Sequence, residues 1–387
     1  MVERAESGVI GPDRDWRQLM RTSCCDVAYL GEKLHISGND LEKLASVQEF
    51  FPVLVNPYYL TLIDSDNPDD PIRKMSVPSV SELDVSGHAD TSGEAKSTVL
   101  PGLQHKYSET ALILSTAVCA MNCRYCFRRR FVGASQDEVV QSIDDVAGYI
   151  AEHREITNVL VSGGDAFMNS NEVIGCYLEL LTAIDHVRSI RFGTRTPVTL
   201  PQRITSDSEL VELLAKYAYR KQLYVVTQFN HAAEITPEST AAVQTLLRVG
   251  VPVRNQTVLL RGVNDRSDTL VDLMDGLVAI GVMPYYLFQC RPVTGVKSRF
   301  QVPLREGVRI VNEAQANLNG LAKSFRFMMS HETGKIEILG CMNDAASEGA
   351  VGVDASADML FKYHQARDRS NLGKVFTRAL PADACWL

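Results

Sequence analysis

From Pro101 onward the chain alternates between two kinds of apolar spacing. Short β-branched and apolar runs at residues 111–116, 158–162, 189–194, 223–228, 253–260 and 284–288 predict strands. Between them, residues 136–153, 171–185, 208–218, 237–249 and 268–280 carry apolar positions three and four apart, which predicts helices. Strand and helix in turn predict parallel βαβ units. About six such units, with no Gly-rich dinucleotide fingerprint, predict an α/β fold. The expected form is a partial (β/α)6 barrel of TIM type rather than an open doubly wound sheet.

The first hundred residues have a different character. Residues 15–60 hold helix-like stretches, such as Asp40-Leu-Glu-Lys-Leu-Ala-Ser-Val-Gln-Glu-Phe. Residues 64–102 then turn rich in Asp, Pro, Ser and Gly (DSDNPDDPIRK, DVSGHADTSGEAKS). Such a composition predicts an irregular connection, either an unfolded linker or a loop wrapped on the main domain. The expected division is a helical extension with its connecting segment over 1–100, a barrel over 101–300, and a C-terminal segment over 301–387.

Composition narrows the partners more than the chemistry. The chain has 387 residues, 45% of them hydrophobic and 22% charged, an ordinary globular mixture. Its formal charge of -8 argues against a general nucleic-acid binder, which needs a basic surface. The start, MVERAESGVIGPDRDW, has no basic stretch leading into an apolar one, and no apolar run reaches membrane-spanning length. The expectation is a cytoplasmic protein with no membrane partner. In that compartment the nine cysteines stay reduced and serve as ligands, reactive groups or small core residues.

Three of those cysteines crowd together in STAVCAMNCRYCFRRR, where Cys119, Cys123 and Cys126 form C-x3-C-x2-C and four arginines follow closely. Structural zinc takes four ligands, normally as two separated pairs, and no second pair is visible. Three thiolates on one tight loop suit three irons of a [4Fe-4S] cluster and leave the fourth iron open. The motif follows the first barrel strand, which predicts a position at the C-terminal mouth, where such folds keep their chemistry. A second stretch, VLVSGGDA, puts Gly163, Gly164 and Asp165 at a strand end, where glycines let a ligand approach the backbone.

The cysteine spacing resembles that of the radical S-adenosylmethionine superfamily. There the open iron is chelated by the amino and carboxylate groups of S-adenosylmethionine, and the GGD turn resembles the element that binds its amino group. Further stretches resemble the lysine 2,3-aminomutase family in order: HKY at 105–107, CRYCFRRRF, VLVSGGDAF, GTRTPVTLPQRIT, QFNHAAEIT, VRNQTVLLRGVND and YYLFQC, with Asp70-Pro-Ile-Arg-Lys ahead of them. The resemblance runs from about residue 60 to 340. It implies an isomerase using S-adenosylmethionine, a [4Fe-4S] cluster and pyridoxal phosphate to move the α-amino group of an amino acid to Cβ. A reducing partner such as flavodoxin or ferredoxin and a homo-oligomeric state are also implied.

Residue by residue, the resemblance implies Lys335, in SHETGKIEILG, as the amine that takes pyridoxal phosphate. Lys106 and Gln256 match positions that grip its phosphate, while Thr110 stands where the family commonly has arginine. Thr194, Thr196, Gln228 and Asn230 match the surroundings of S-adenosylmethionine, with Gln228 replacing a histidine. Arg128 matches the clamp on the substrate carboxylate, and Arg129 and Arg130 are expected as ion-pair partners. Lysine-specific members place two aspartates around the distal ammonium. Here those positions hold Arg291 and Met328. A guanidinium repels an ammonium and attracts a carboxylate, so the substrate is expected to be acidic, glutamate or aspartate, unless Arg291 faces outward in a surface ion pair. The alternatives are a lysine-isomerising enzyme serving elongation factor P modification, and a radical enzyme of another reaction type on an amino acid.

Overall fold

The computed structural model describes residues 11, 14–133, 135–342 and 357–387. Its frame is one twelve-stranded sheet whose strands lie in chain order. They are β1 Thr98–Leu100, β2 Leu103–Tyr107, β3 Thr110–Leu114, β4 Asn158–Ser162, β5 Ser189–Gly193, β6 Gln222–Thr227, β7 Val253–Leu259, β8 Met283–Gln289, β9 Arg326–His331, β10 Gly334–Cys341, β11 Ala357–Ala366 and β12 Val375–Leu380. Every pairing from β3 to β9 is parallel, and the flanking pairs are antiparallel.

The parallel arc therefore has seven strands where the alternation predicted six. The seventh, β9, follows helix Leu304–Asn317, whose buried Leu304, Val308, Val311 and Ala314 fall at helical spacing and pack it against the arc. Helices Asn171–Thr182, Ser208–Ala218, Pro237–Arg248 and Ser267–Ala279 stand where expected. The helix expected over 136–153 is shorter, Ile143–Glu152. The amide of Val140 is drawn off to the carbonyl of Leu114, and the Ser142 hydroxyl caps the helix by accepting from the Asp145 amide.

Period two along the strands separates packing from chemistry. In β4, Val159 and Val161 are buried in the main core, whereas Asn158, Leu160 and Ser162 face a central cavity. In β7, Gln256 and Val258 do the same. The connecting segment is a loop wrapped on the arc: Glu82, Ser92, Glu94 and Ser97 are all buried. The extension ahead of it folds into helices Trp16–Arg21, Val27–Lys33, Gly38–Gln48 and Pro57–Leu60. No helix among the described residues is long and apolar enough to cross a membrane.

Candidate active site

A cavity of about 680 Å3 runs inside the arc, from the cysteine loop down to Thr157 and Arg188, which flank the starts of β4 and β5. Seven arginine and lysine side chains contribute to its lining, against two carboxylates, Glu94 and Asp165. A protein that is acidic overall thus keeps a cationic interior, which suits anionic small molecules.

Cys119, Cys123 and Cys126 all line the upper end. Burial, then Asp165 and the other two thiols, push Cys119 well above the usual thiol range. Burial and Cys123 push Cys126 up to about 11. A bound metal cluster supplies the positive charge that such thiolates lack. No group of three or more metal-ligating side chains among the described residues converges on a single ion, and three thiolates on three separate irons do not need to converge. Arg195 donates from Nη1 to the Cys123 Sγ at 3.1 Å and is held from behind by Glu234 and by the Tyr59 hydroxyl. The donor set fits the cluster.

The GGD turn clasps this loop. The amides of Gly164 and Asp165 donate to the carbonyls of Thr116 and Val118 at 2.6 and 2.8 Å. A Cβ at Gly163, whose φ is +128°, would stand 2.3 Å from the Thr116 carbonyl oxygen, so only glycine permits the approach. Asp165 faces the cavity, yet its two oxygens accept from the amides of Phe167 and Arg195, so the carboxylate also fixes the turn after β5. Burial raises its pKa against those hydrogen bonds.

Thr194 and Gln228 line the cavity, and Gln228 accepts from the Tyr125 hydroxyl at 3.0 Å. Two residues expected beside them do not reach it. Thr196 is fully buried, with its hydroxyl 2.9 Å from that of Thr194. Asn230 is fully buried behind the wall, donating to the Tyr125 hydroxyl at 2.6 Å and accepting from the Val258 amide at 2.8 Å. Both support side chains that face the cavity rather than face it themselves.

The four arginines of the cysteine loop divide between two carboxylates of the connecting segment. Arg124 and Arg129 bind Glu82, which also holds Arg299. Arg128 and Arg130 bind Glu94, and Arg130 also reaches Glu138. Burial alone would raise Glu94, but Arg128, Arg291 and Arg130 outweigh it and hold the carboxyl at about 2. Arg128 lines the cavity with Nε and Nη2 on Glu94 and Nη1 3.3 Å from the Ser162 hydroxyl.

Arg291 faces inward, not outward. Its Nη1 and Nη2 donate to the hydroxyls of Ser92 and Ser330 at 2.8 and 3.0 Å, and its guanidinium lies 3.8 Å from the centre of the Phe127 ring. Among the described residues no carboxylate lies within 4 Å of it. Met328, expected as its companion, is fully buried and outside the cavity lining. Two residues further along the same face of β9, Ser330 takes that place.

Lys335 opens on the cavity from β10, between Ser330 on β9 and Gln365 on β11. A Cβ at the preceding Gly334 would meet the Gln365 carbonyl oxygen at 2.1 Å, so the glycine lets β11 close against this wall. The Lys335 amine stands 5.0 Å from the centre of the Tyr286 ring. Burial, then Arg191, Arg291 and Lys106, lower its pKa to about 7, the state a nucleophilic amine needs. Lys106 donates to the carbonyls of Ser92 and His331 at 2.8 and 2.7 Å, and burial lowers it to about 8. Gln256 and Thr110 also line the cavity. An amine with no ion pair among the described residues, set among cations, fits pyridoxal phosphate, which brings both a carbonyl and an anion.

Sequence reasoning missed Ser92, Glu94, Arg191 and Ser330. The first two sit in polar, turn-rich sequence with no periodicity to single them out. Arg191 did carry a signal: it is a charge at an inward position of β5, in step with Ser189 and Gly193.

An arc of parallel strands with a three-cysteine loop at its mouth defines a radical S-adenosylmethionine enzyme, and residues 113–274 match the Radical SAM superfamily. That class implies S-adenosylmethionine and a [4Fe-4S] cluster. Over 363 residues the chain is 39% identical to an Aquifex aeolicus protein assigned as an L-lysine 2,3-aminomutase, covering 93% of this chain and 92% of that one. It is 40% identical to the L-lysine 2,3-aminomutase of Clostridium subterminale (79% and 73% covered) and 36% identical to the glutamate 2,3-aminomutase of Clostridioides difficile (81% and 74%). The chain belongs to the lysine 2,3-aminomutase family.

Proposed function

We propose that this chain is a pyridoxal phosphate-dependent amino acid 2,3-aminomutase acting on an acidic substrate, glutamate or aspartate. The observation that carries the substrate choice is Arg291: an inward guanidinium, held by two serines, with no carboxylate within 4 Å among the described residues. A distal carboxylate can pair with it, whereas a distal ammonium would be repelled.

Cys119, Cys123 and Cys126 would hold the cluster, and the turn around Gly163, Gly164 and Asp165 would face S-adenosylmethionine. When bound, these groups supply a carbon-centred radical, and pyridoxal phosphate supplies a carbonyl for the migrating amine. The protein's own part is to hold and shield. Arg128 takes the α-carboxylate while Glu94 fixes the guanidinium in place. Arg291 takes the carboxylate at the other end, so the Cα–Cβ bond is positioned between two cations. With its pKa lowered to about 7, Lys335 has a free amine available near and above neutral pH. Leu112, Leu160, Val226, Val258 and Phe288 line the walls and keep water from a reactive carbon centre. The amino group moves from Cα to Cβ and one hydrogen moves from Cβ to Cα, so substrate and product are isomers.

The purified chain, with its cluster reconstituted and reduced, should convert glutamate or aspartate to the β-amino isomer when given S-adenosylmethionine and pyridoxal phosphate. Formation of no β-isomer from any member of an amino acid panel would overturn the reading. Turnover of lysine alone would overturn the substrate choice.

A further inference from the structure

We propose that Arg191 holds the phosphate of pyridoxal phosphate at the floor of the cavity, oriented by Asn158. This rests on the pyridoxal phosphate reading above and adds a guanidinium to Lys106 and Gln256, the residues the family resemblance gives for that phosphate.

Arg191 lies in mid-strand on β5, in register with Leu160 on β4 and Tyr224 on β6, deeper in the arc than Thr194 at the strand's end. It lines the cavity. Its Nη2 donates to Asn158 Oδ1 at 2.5 Å, but its Nε is shielded from solvent and meets no hydrogen-bond acceptor. No carboxylate among the described residues pairs with it within 4 Å. A guanidinium sequestered with an unmet donor and no counter-charge is costly unless something anionic joins it.

The surroundings say which anion. Asn158 has its amide nitrogen on the Thr110 hydroxyl and the Glu109 carbonyl, at 2.8 and 2.9 Å, which turns its oxygen toward Arg191. Thr110 stands level with Asn158 on β3, and its hydroxyl brings no charge to this floor. Arg191 supplies the cation from two strands away. Besides burial, the groups acting on Arg191 are the phenols of Tyr285 and Tyr286, and Arg191 in turn acts on Lys335; none is a carboxylate. The substrate's carboxylates have Arg128 and Arg291. The anion that Arg191 meets therefore belongs to the molecule that reaches the Lys335 amine, and a phosphate monoester matches a bare guanidinium beside a lysine.

The test is a titration of the full chain, its Arg191→Gln and Arg191→Lys variants, and Lys335→Ala, with pyridoxal phosphate, with pyridoxal, and with inorganic phosphate. The readouts are the visible absorption band of bound cofactor and the thermal unfolding midpoint. Expected is a loss of pyridoxal phosphate affinity in Arg191→Gln of about 30-fold or more, with pyridoxal affinity unchanged. Arg191→Lys recovers part of the loss, and inorganic phosphate raises the unfolding midpoint of the wild type but not of Arg191→Gln. Equal losses for pyridoxal phosphate and pyridoxal would overturn the proposal, as would an unchanged pyridoxal phosphate affinity in a variant that melts like the wild type. If the wild type itself develops no band that Lys335→Ala abolishes, the pyridoxal phosphate reading falls and the assignment of Arg191 falls with it. A band retained by the wild type and by Arg191→Gln alike overturns only the assignment.

Discussion

The two ends of the cavity are built by different routes. At the upper end, Cys119, Cys123 and Cys126 lie within eight consecutive residues, and the turn that clasps them, Gly163 to Asp165, follows the very next strand. At the other end, Arg291 follows β8, Ser330 sits on β9, and Ser92 arrives from the connecting segment 199 positions away. The first end depends on local spacing and a strand terminus. The second depends on distant segments arriving together, and on the proposed function a change of residue there should alter which substrate fits without disturbing the cysteine loop.

Glu94 ties the connecting segment, which also carries Ser92, to the arginines of the cysteine loop, so its removal should have the largest effect. In Glu94→Gln, Arg128 and Arg130 lose the carboxylate they share in a buried setting, and the chain should lose about 3–5 kcal/mol of stability, read by chemical denaturation. The same group gives a pH signature. Its carboxyl is held at about 2, below the ordinary 4.5, so its contribution is complete above about pH 4.5 and fades as pH falls toward 2. A stability unchanged by the substitution would mean that the connecting segment is not anchored through this pair.

Next in size is Arg291→Gln. Removing a guanidinium that meets a buried carboxylate should raise KM for the acidic substrate by about 30-fold or more. Reductive cleavage of S-adenosylmethionine without substrate should stay at the wild-type rate. Loss of both together would erase the independence of the two ends.

The smallest effect is a pH dependence at Lys335. Its pKa is lowered to about 7, so the amine is protonated below that pH and free above it. The visible band formed with pyridoxal phosphate should grow as pH rises through about 7. A midpoint near the ordinary lysine value of 10.5 would mean that the amine is not desolvated by the cavity wall.

The barrel strands were legible because period two and period 3.6 are local properties. The expected strands at 158–162 and 253–260 fall almost residue for residue on β4 and β7. The helix over 136–153 was over-extended because periodicity does not reveal that Leu114 captures the amide of Val140. At the site, the setting of Cys119 and Gly163 at the cavity was legible from motif and strand end, Lys335 was expected only from the family resemblance, and the direction of Arg291 was open until the fold placed it inward. Thr196, Asn230 and Met328 share that sequence context, yet each ended behind the wall.

By itself, the sequence determined the cluster loop, the glycine turn, the βαβ order and the absence of an acid where lysine would need one. The first two depend on residues within a turn or a strand of one another, the βαβ order on local periodicity repeated along the chain, and the missing acid on aligned positions read one at a time. Only the tertiary structure decided that the polar segment after residue 64 wraps the arc, that Glu82 and Glu94 divide four arginines between them, and that Arg191 lines the cavity half-buried with no carboxylate among the described residues within 4 Å. Buried charge pairs form wherever the fold brings opposite charges together out of water, and no spacing along the chain records that meeting.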